Sequence, residues 1–323
     1  MNRRVLVTGG AGFIGSHTAD ALLADGWAVE IIDDLSSGKQ ANLPAAAKFH
    51  RLDVRSPEAA ALVREGNFDA ITHFAAQMDV RRSVADPMFD ADVNVRGTLN
   101  LLEAARSLEK RPRFVFASTG GAVYGDHTRP PNKETTLKEP DSPYAVSKLA
   151  AENYLAFYGR IHGMEGVALR FANVYGPRQD PHGEAGVVAI FCNRLLAGQP
   201  LLVFGDGTQT RDYVHVSDVV NAVKRALTIE LTGVARIDLR AFNIGTGVPT
   251  SVLDLASGLK RAANVDTPLQ FAPHRPGEQL ESYVDIDKAK RELSWSPQVR
   301  LDDGLRNTFE WFAARANHAP AVS

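Results

Sequence analysis

"VLVTGGAGFIGSHTADALL", residues 5 to 23, decides the fold. A short apolar run, 5–8, leads into glycines spaced Gly9-x-x-Gly12-x-x-Gly15, overlapped by Gly10-x-Gly12-x-x-Gly15, and an amphipathic stretch follows. Strand, glycine turn and helix in that order form a phosphate-binding unit. The glycines allow a tight turn, and the first N–H groups of the helix can then approach a pyrophosphate. A glycine motif alone is weak, but here a second apolar run, "AVEIIDD", ends in Asp33, about 20 residues on and placed for a ribose 2′-hydroxyl. A carboxylate there repels a 2′-phosphate, and Asp34 adds to the repulsion, so the expected cofactor is NAD rather than NADP.

The rest of the first half repeats this rhythm. Apolar runs at 28–32, 49–52, 70–74, 114–117 and 167–171 alternate with helical patterns at 13–24, 95–108 and 144–161. The alternation predicts an α/β fold, a Rossmann-type doubly wound parallel sheet with helices on both faces. A Pro-rich stretch, 126–143, reads as a loop. Beyond Gly176 the pattern loosens into irregular segments and short helices, which predicts a smaller lobe over the C-terminal edge of the sheet. "RAFNIGTG" is strand-like and returns to the main sheet, so that lobe is discontinuous. The expected division is 1–175, with returning segments at about 210–247, for the dinucleotide, and 176–209 with 248–323 for the substrate.

Bulk properties exclude several classes. A net charge of −2 over 323 residues argues against a general nucleic-acid binder. No apolar run reaches the length of a membrane span, and the chain enters its first strand without a signal-peptide pattern. The single cysteine, Cys192, excludes an internal disulfide and fits a reducing cytoplasm. It lies in "VVAIFCNRLL" and reads as a core thiol. The scattered histidines lack metal spacing, so no metal is expected.

"DSPYAVSKLAAENYL", residues 141 to 155, carries the chemistry. Tyr144 and Lys148 are i and i+4 on one helix face. A nearby ammonium favours phenolate and lowers a tyrosine pKa. Bringing the phenol near neutrality takes about 4 kcal/mol of differential interaction and makes it a usable general base. The alternative is a packed tyrosine and a solvated lysine, which the pair alone does not exclude.

These motifs together resemble the extended short-chain dehydrogenase/reductase family. The resemblance covers essentially the whole chain and rests on "TGGAGFIG", "LDV" at 52–54, "HFAAQ" at 73–77, "VNVRGTLNLLEA" from Val93, "STGGAVYG" from Ser118 and the Tyr144/Lys148 pair. "RFANVYGPRQ" from Arg170, "VFGDGTQTRDYVHVSDV" from Val203 and "HRPGE" from His274 narrow it to nucleotide-sugar enzymes, most like the 4-epimerases of UDP-glucose. The resemblance implies an isomerase of nucleotide-sugar and galactose metabolism that uses NAD. Gly9, Gly12, Phe13, Ile14, Gly15, Asp33, Asp53, Val54, Phe74, Ala75, Ala76, Asn94, Tyr144 and Lys148 would line the cofactor. Asn173, Val188, Leu202, Phe204, Arg211, Arg275, Glu278 and Ser282 would contact the UDP-sugar. For Val188, Leu202 and Phe204 a core role is the alternative.

One departure concerns the third catalytic hydroxyl. The family position falls on Gly120, with Ser118 and Thr119 as the nearest hydroxyls, and Thr119 is preferred. Rival reactions follow from the same resemblance. A 4,6-dehydratase needs an acid pair after the threonine, where this chain has Gly120 and Gly121. A UDP-glucuronate epimerase or decarboxylase needs a cation for the C6 carboxylate, which Arg81 or Arg82 could supply. A non-catalytic NAD sensor would lose Tyr144 or Lys148. Ser282, four residues past Glu278, borders the sugar's C2 group, and its small size implies that UDP-GlcNAc and UDP-GalNAc also fit. A homodimer through a four-helix bundle, with 95–108 and 144–161 from each subunit, is implied as well.

Overall fold

The computed structural model describes residues 3–181, 186–274 and 279–316. Its strands are β1 (Arg4–Thr8), β2 (Ala28–Asp33), β3 (Lys48–Arg51), β4 (Ala70–His73), β5 (Arg113–Thr119), β6 (Gly166–Phe171), β7 (Asn173–Tyr175), β8 (Leu201–Phe204), β9 (Thr210–His215), β10 (Ala241–Ile244), β11 (Pro249–Ser251), β12 (Leu269–Ala272) and β13 (Glu281–Ser282). Its helices are α1 (Phe13–Ala24), α2 (Pro57–Glu65), α3 (Val80–Ala85), α4 (Pro87–Ala91), α5 (Gly97–Arg106), α6 (Pro143–His162), α7 (Val187–Leu196), α8 (Val216–Ala226), α9 (Ile237–Arg240), α10 (Val252–Ala263), α11 (Asp287–Glu292) and α12 (Leu301–Ala316).

Seven strands form one parallel sheet in the order β10-β6-β5-β4-β1-β2-β3. Successive side chains point to opposite faces, so β1 feeds two cores. Val5 and Val7 pack with Ala19, Leu22 and Val219 under α1 and α8. Leu6 packs with Val63, Leu101, Leu102 and Leu155 under α2, α5 and α6. Burial on both faces is why β1 and β6 read as continuous apolar runs. The chain reverses its winding between β1 and β4, which pair with Thr8 beside His73. Such a switch point opens a crevice beyond the carboxyl ends of the strands.

The smaller lobe has its own core, with Val188, Phe191, Cys192, Leu201, Leu255, Leu305 and Phe312. Burial pushes the Cys192 thiol up to about 12, so it sits there as an inert apolar group. The lobe's helices are longer than the loosened sequence pattern suggests, and α12 alone runs 16 residues. β10 returns to the main sheet against β6. β9 does not: it centres a small sheet with β7, β11 and β13. The 126–143 segment is tied to the chain after β13, because Asn132 N donates to the Tyr283 carbonyl and Asp285 N donates to the Asn132 carbonyl, either side of an Asn132–Val284 bridge.

Candidate active site

The glycine turn closes onto the end of β4. Gly9 has φ +70°, and a Cβ there would lie 2.6 Å from the amide nitrogen of Ala75. A Cβ on Gly15 would lie 2.1 Å from the Gly9 carbonyl, so α1 can approach the turn only with glycine at that position. Phe74 and Ala75 are thereby laid against the turn, with Ala76 next along the chain. α1 begins at Gly12 with no side-chain cap and no acidic residue in its first turn. The N–H groups of Phe13 and Ile14 therefore stand at an uncapped, positive helix end. Asp33 ends β2 nearby, 7% exposed, with its oxygens accepting from Ala11 N (3.0 Å) and Leu35 N (2.9 Å). Burial pushes its carboxyl up, and those two N–H groups pull it back. Asp53 follows β3 and is gripped by Arg55, which also reaches Asp92 at 2.6 Å. The hydrogen bonds from Arg55 hold the Asp53 carboxyl below its ordinary range. Val54 is buried behind it. Uncapped helix end, cradle and ribose-side carboxylate fit a dinucleotide.

Tyr144 and Lys148 occupy the first turns of α6. Ser142 caps this helix, accepting from Ala145 N, and Pro143 fits the first turn, where its missing N–H costs nothing. Lys148 is 4% exposed, and its Nζ donates to the Ala117 carbonyl at 2.9 Å. That ammonium lies 4.8 Å from the Phe116 ring centroid and 5.9 Å from that of Tyr144. Burial pushes Lys148 down to about 8, opposed by Asp90 and then Glu152. The expectation of a lowered Tyr144 pKa is not met. Burial pushes the phenol up, with the Asp90 charge adding in the same direction, because desolvation disfavours phenolate.

The two candidate hydroxyls at the end of β5 differ. Ser118 is 4% exposed and donates to Glu152 Oε1 at 2.5 Å. Glu152 in turn pairs with the fully buried Arg170 at 2.6 Å. Thr119, half-buried, is the last residue of β5 and is not engaged in that network. Gly120 has no room for a hydroxyl-bearing side chain, since a Cβ would lie 2.9 Å from the Arg170 carbonyl.

Two groups of residues were missed from the sequence. One is the Glu152–Arg170 pair, with Glu152 four residues past Lys148 on the same helix. The other surrounds Asn94, which sits in a π-turn, Asp92–Arg96. Asn94 Nδ2 donates to the Gln77 carbonyl (2.9 Å), Asp90 Oδ1 (3.1 Å) and Ser147 Oγ (3.1 Å). Asp90 lies four residues before Asn94, so helical spacing was the available signal for both groups.

Across the cleft, β13 pairs with β9 so that Ser282 stands beside Arg211. A Cβ built on Gly121 would meet Asn173 Oδ1 at 3.8 Å and Ser282 Oγ at 3.9 Å, so these two side chains converge over the loop after β5. Leu202 and Phe204 are half-buried and alternate with the core residues Leu201 and Val203, so they face away from the lobe's core. The Val188 side chain is 1% exposed within that core, which is the packing alternative for this position. Arg275 and Glu278 lie outside the described residues. Arg81 and Arg82 are exposed on α3, with Arg82 stacked 4.2 Å from the Phe89 ring centroid.

A doubly wound sheet that meets a Tyr-x-x-x-Lys helix near its switch point, with a second lobe facing both, defines the extended short-chain dehydrogenase/reductases. Comparison with known proteins narrows the class. The chain belongs to the family described as GDP-mannose 4,6 dehydratase, whose model matches residues 6–308. A UDP-glucose 4-epimerase of Mycolicibacterium smegmatis is 46% identical over 314 residues, covering 96% of this chain and 98% of that protein. The UDP-glucose 4-epimerase of Thermotoga maritima, solved with UDP-glucose, superposes with a TM-score of 0.92 at 42% identity, covering 97% of this chain and 99% of that one. The Thermus thermophilus UDP-glucose 4-epimerase, solved with NAD, gives 0.88 at 44% identity, covering 96% and 99%.

Proposed function

We propose that this chain inverts C4 of UDP-hexoses, interconverting UDP-glucose and UDP-galactose, with NAD as resident cofactor. The observation that supports the reading is the placement of Tyr144 and Lys148 one helical turn apart on α6, with Lys148 Nζ on the Ala117 carbonyl of β5, while Asn173 and Ser282 converge on Gly121 in the loop after the same strand. NAD, held there, would supply the hydride-accepting and hydride-returning chemistry at C4. Gly9, Gly12, Phe13, Ile14 and Gly15 would hold its pyrophosphate. Asp33 would hold the adenosine ribose, Asp53 and Val54 the adenine side, and Phe74, Ala75, Ala76 and Asn94 the nicotinamide half.

Tyr144 takes the proton of the C4 hydroxyl and later gives it back. Its phenol starts above the ordinary range, so the step needs the Lys148 ammonium to offset phenolate as it forms. Thr119 orients the C4 oxygen, because Ser118 is engaged by Glu152. Arg211 grips the diphosphate, where a planar fork gives paired hydrogen bonds, and Arg275 and Glu278 would act on the phosphate and uridine ribose. Asn173, Leu202 and Phe204 complete the UDP side, with Val188 backing them from the core. The dinucleotide lobe is 1–175 with the returning segment 216–247, and the sugar lobe takes the rest, β9 included.

The same chain forms a homodimer in this reading. Val146, Tyr154, Phe157 and Ile161 are 51%, 40%, 40% and 63% exposed and make one apolar stripe along α6. A cavity of about 560 Å³ opens beside Val146, lined by Ala91, Val95 and Ala150 together with the polar Asp90, Asp141 and Ser147. Light scattering reads the mass directly, and a monomer refutes the bundle. A lone buried thiol fits a cytoplasmic site of action.

The function is tested by incubating the protein with UDP-glucose and with UDP-N-acetylglucosamine and following proton NMR. Axial and equatorial C4 protons have distinct couplings. The expected product is the C4 epimer. A dehydrated ketone or a pentose would replace this reading with a dehydratase or a decarboxylase.

A further inference from the structure

Four charged side chains are buried where α6 meets α4 and the sheet. Asp90 is 1% exposed, Lys148 4%, Glu152 2% and Arg170 0%. Glu152 and Arg170 answer each other, with Nη2 to Oε2 at 2.6 Å and Nε to both oxygens. Asp90 and Lys148 remain. Among the described residues, Lys148 Nζ donates only to a neutral carbonyl, that of Ala117. Asp90 accepts from Gln77 Nε2 (2.9 Å) and Asn94 Nδ2 (3.1 Å) with Oδ1, and it borders the same cavity as Ser147 and Val146 of α6. Asn94 also touches Ser147, the residue before Lys148, so the carboxylate stands one amide away from α6. A carboxylate held this deep is strongly unfavourable unless a cation balances it.

We propose that Asp90 is the counter-charge of Lys148, a positioning residue held by Gln77 and Asn94 that keeps the lysine an ammonium beside Tyr144. The groups facing Lys148 support this assignment. They are Asp90 from α4, Tyr144 and Glu152 from α6, His73 from β4, the Phe116 ring and Ala117 carbonyl from β5, and Arg170 on β6 behind Glu152. His73 is neutral, pushed down to about 3 by burial, with the Lys148 charge adding. Glu152 is matched by Arg170. Asp90 is the negative charge left over, and it is the larger of the two that pull Lys148 back up.

Asp90→Asn keeps the shape and an acceptor and removes only the charge. Melting temperatures of wild type, Asp90→Asn, Lys148→Met and the double variant are compared at about pH 6.5 and about pH 9.5, on either side of the Lys148 value of about 8. Lys148 is lowered from its ordinary value, so losing its counter-charge lowers it further. The penalty of Asp90→Asn is therefore full below the variant's pKa and gone above the wild type's. The expected result is a lower melting temperature at the acid pH, little or no loss at the alkaline pH, and no loss at either pH in the Lys148→Met background. An equal loss in all four comparisons is what a hydrogen-bonding role gives, and it overturns the proposal. Should Asp90→Asn not fold, the double variant decides: folding as well as Lys148→Met supports the counter-charge, and failing where Lys148→Met folds overturns it.

The activity arm rests on Tyr144 and Lys148 being the reacting pair. There, Asp90→Asn moves the alkaline limb of the kcat/KM profile about one unit to lower pH, a roughly tenfold loss on that limb. An unmoved limb together with the pH-dependent melting result keeps the counter-charge and refutes the catalytic use of the ammonium, so the two failures are distinguishable.

Discussion

Replacing Glu152 by glutamine tests whether the floor of the site rests on a buried ion pair. Arg170 is fully buried and directs Nε and Nη2 at Glu152, while Nη1 goes to Tyr124 Oη (3.0 Å) and the Glu134 carbonyl (3.2 Å). The glutamine side chain would keep one acceptor and the bond from Ser118. It would also turn an NH2 toward the guanidinium and leave that charge without a counter-ion. Removing one partner of a buried pair costs about 3–5 kcal/mol. Counting instead one or two lost hydrogen bonds to a charged group, at about 1.5–3 kcal/mol each, gives a similar range. At about 1.5 °C per kcal/mol for a chain of this length, the melting temperature should fall by about 4–8 °C. Thermal unfolding followed by circular dichroism measures it, with urea titration as the second probe. Adding Arg170→Met removes the stranded charge and should recover most of the loss, because an apolar replacement of a whole buried pair is often neutral. A loss under about 1 kcal/mol for Glu152→Gln, or a double variant as unstable as the sum of the singles, would refute the reasoning.

Tyr144→Phe removes one hydroxyl and should leave the melting temperature and cofactor content near wild type while turnover drops about 100-fold or more; near-normal turnover excludes it as the acid/base. Gly15→Ala places a Cβ against the Gly9 carbonyl, which neither backbone can avoid. The strain should cost about 1–3 kcal/mol and strip the bound dinucleotide, read as the absorbance and NAD content of the purified protein; full NAD content would show that α1 has room to shift. Ser282 is 5% exposed beside Gly121 and Asn173, and Ser282→Tyr fills the space proposed for a C2 acetamido group. It should abolish turnover of UDP-N-acetylglucosamine while sparing UDP-glucose, and equal loss on both sugars would mean that Ser282 is not the gate.

The sequence by itself determined the features that depend on short stretches of backbone. Three glycines between a strand and a helix permit only a narrow set of turns, so the turn between β1 and α1, and Asp33 at the end of β2, were legible at once. The i, i+4 spacing put Tyr144 and Lys148 on one face before any neighbour was known. Strand periodicity gave the sheet, and "RAFNIGTG" announced the return of β10. The tertiary structure decided what depends on which elements stack. Ser118 rather than Thr119 is engaged because Glu152, 34 residues away, turns toward it from α6. β9 leaves the main sheet because its partners come from three distant segments. The Tyr144 phenol moves up rather than down because the cost of desolvating a charge depends on everything packed around it. The Asp90 carboxylate looks like any helix-end acid in the sequence and becomes a buried charge only when α4 closes on α6. Local conformation is carried by neighbours along the chain, whereas dielectric environment and charge balance arise from neighbours in space.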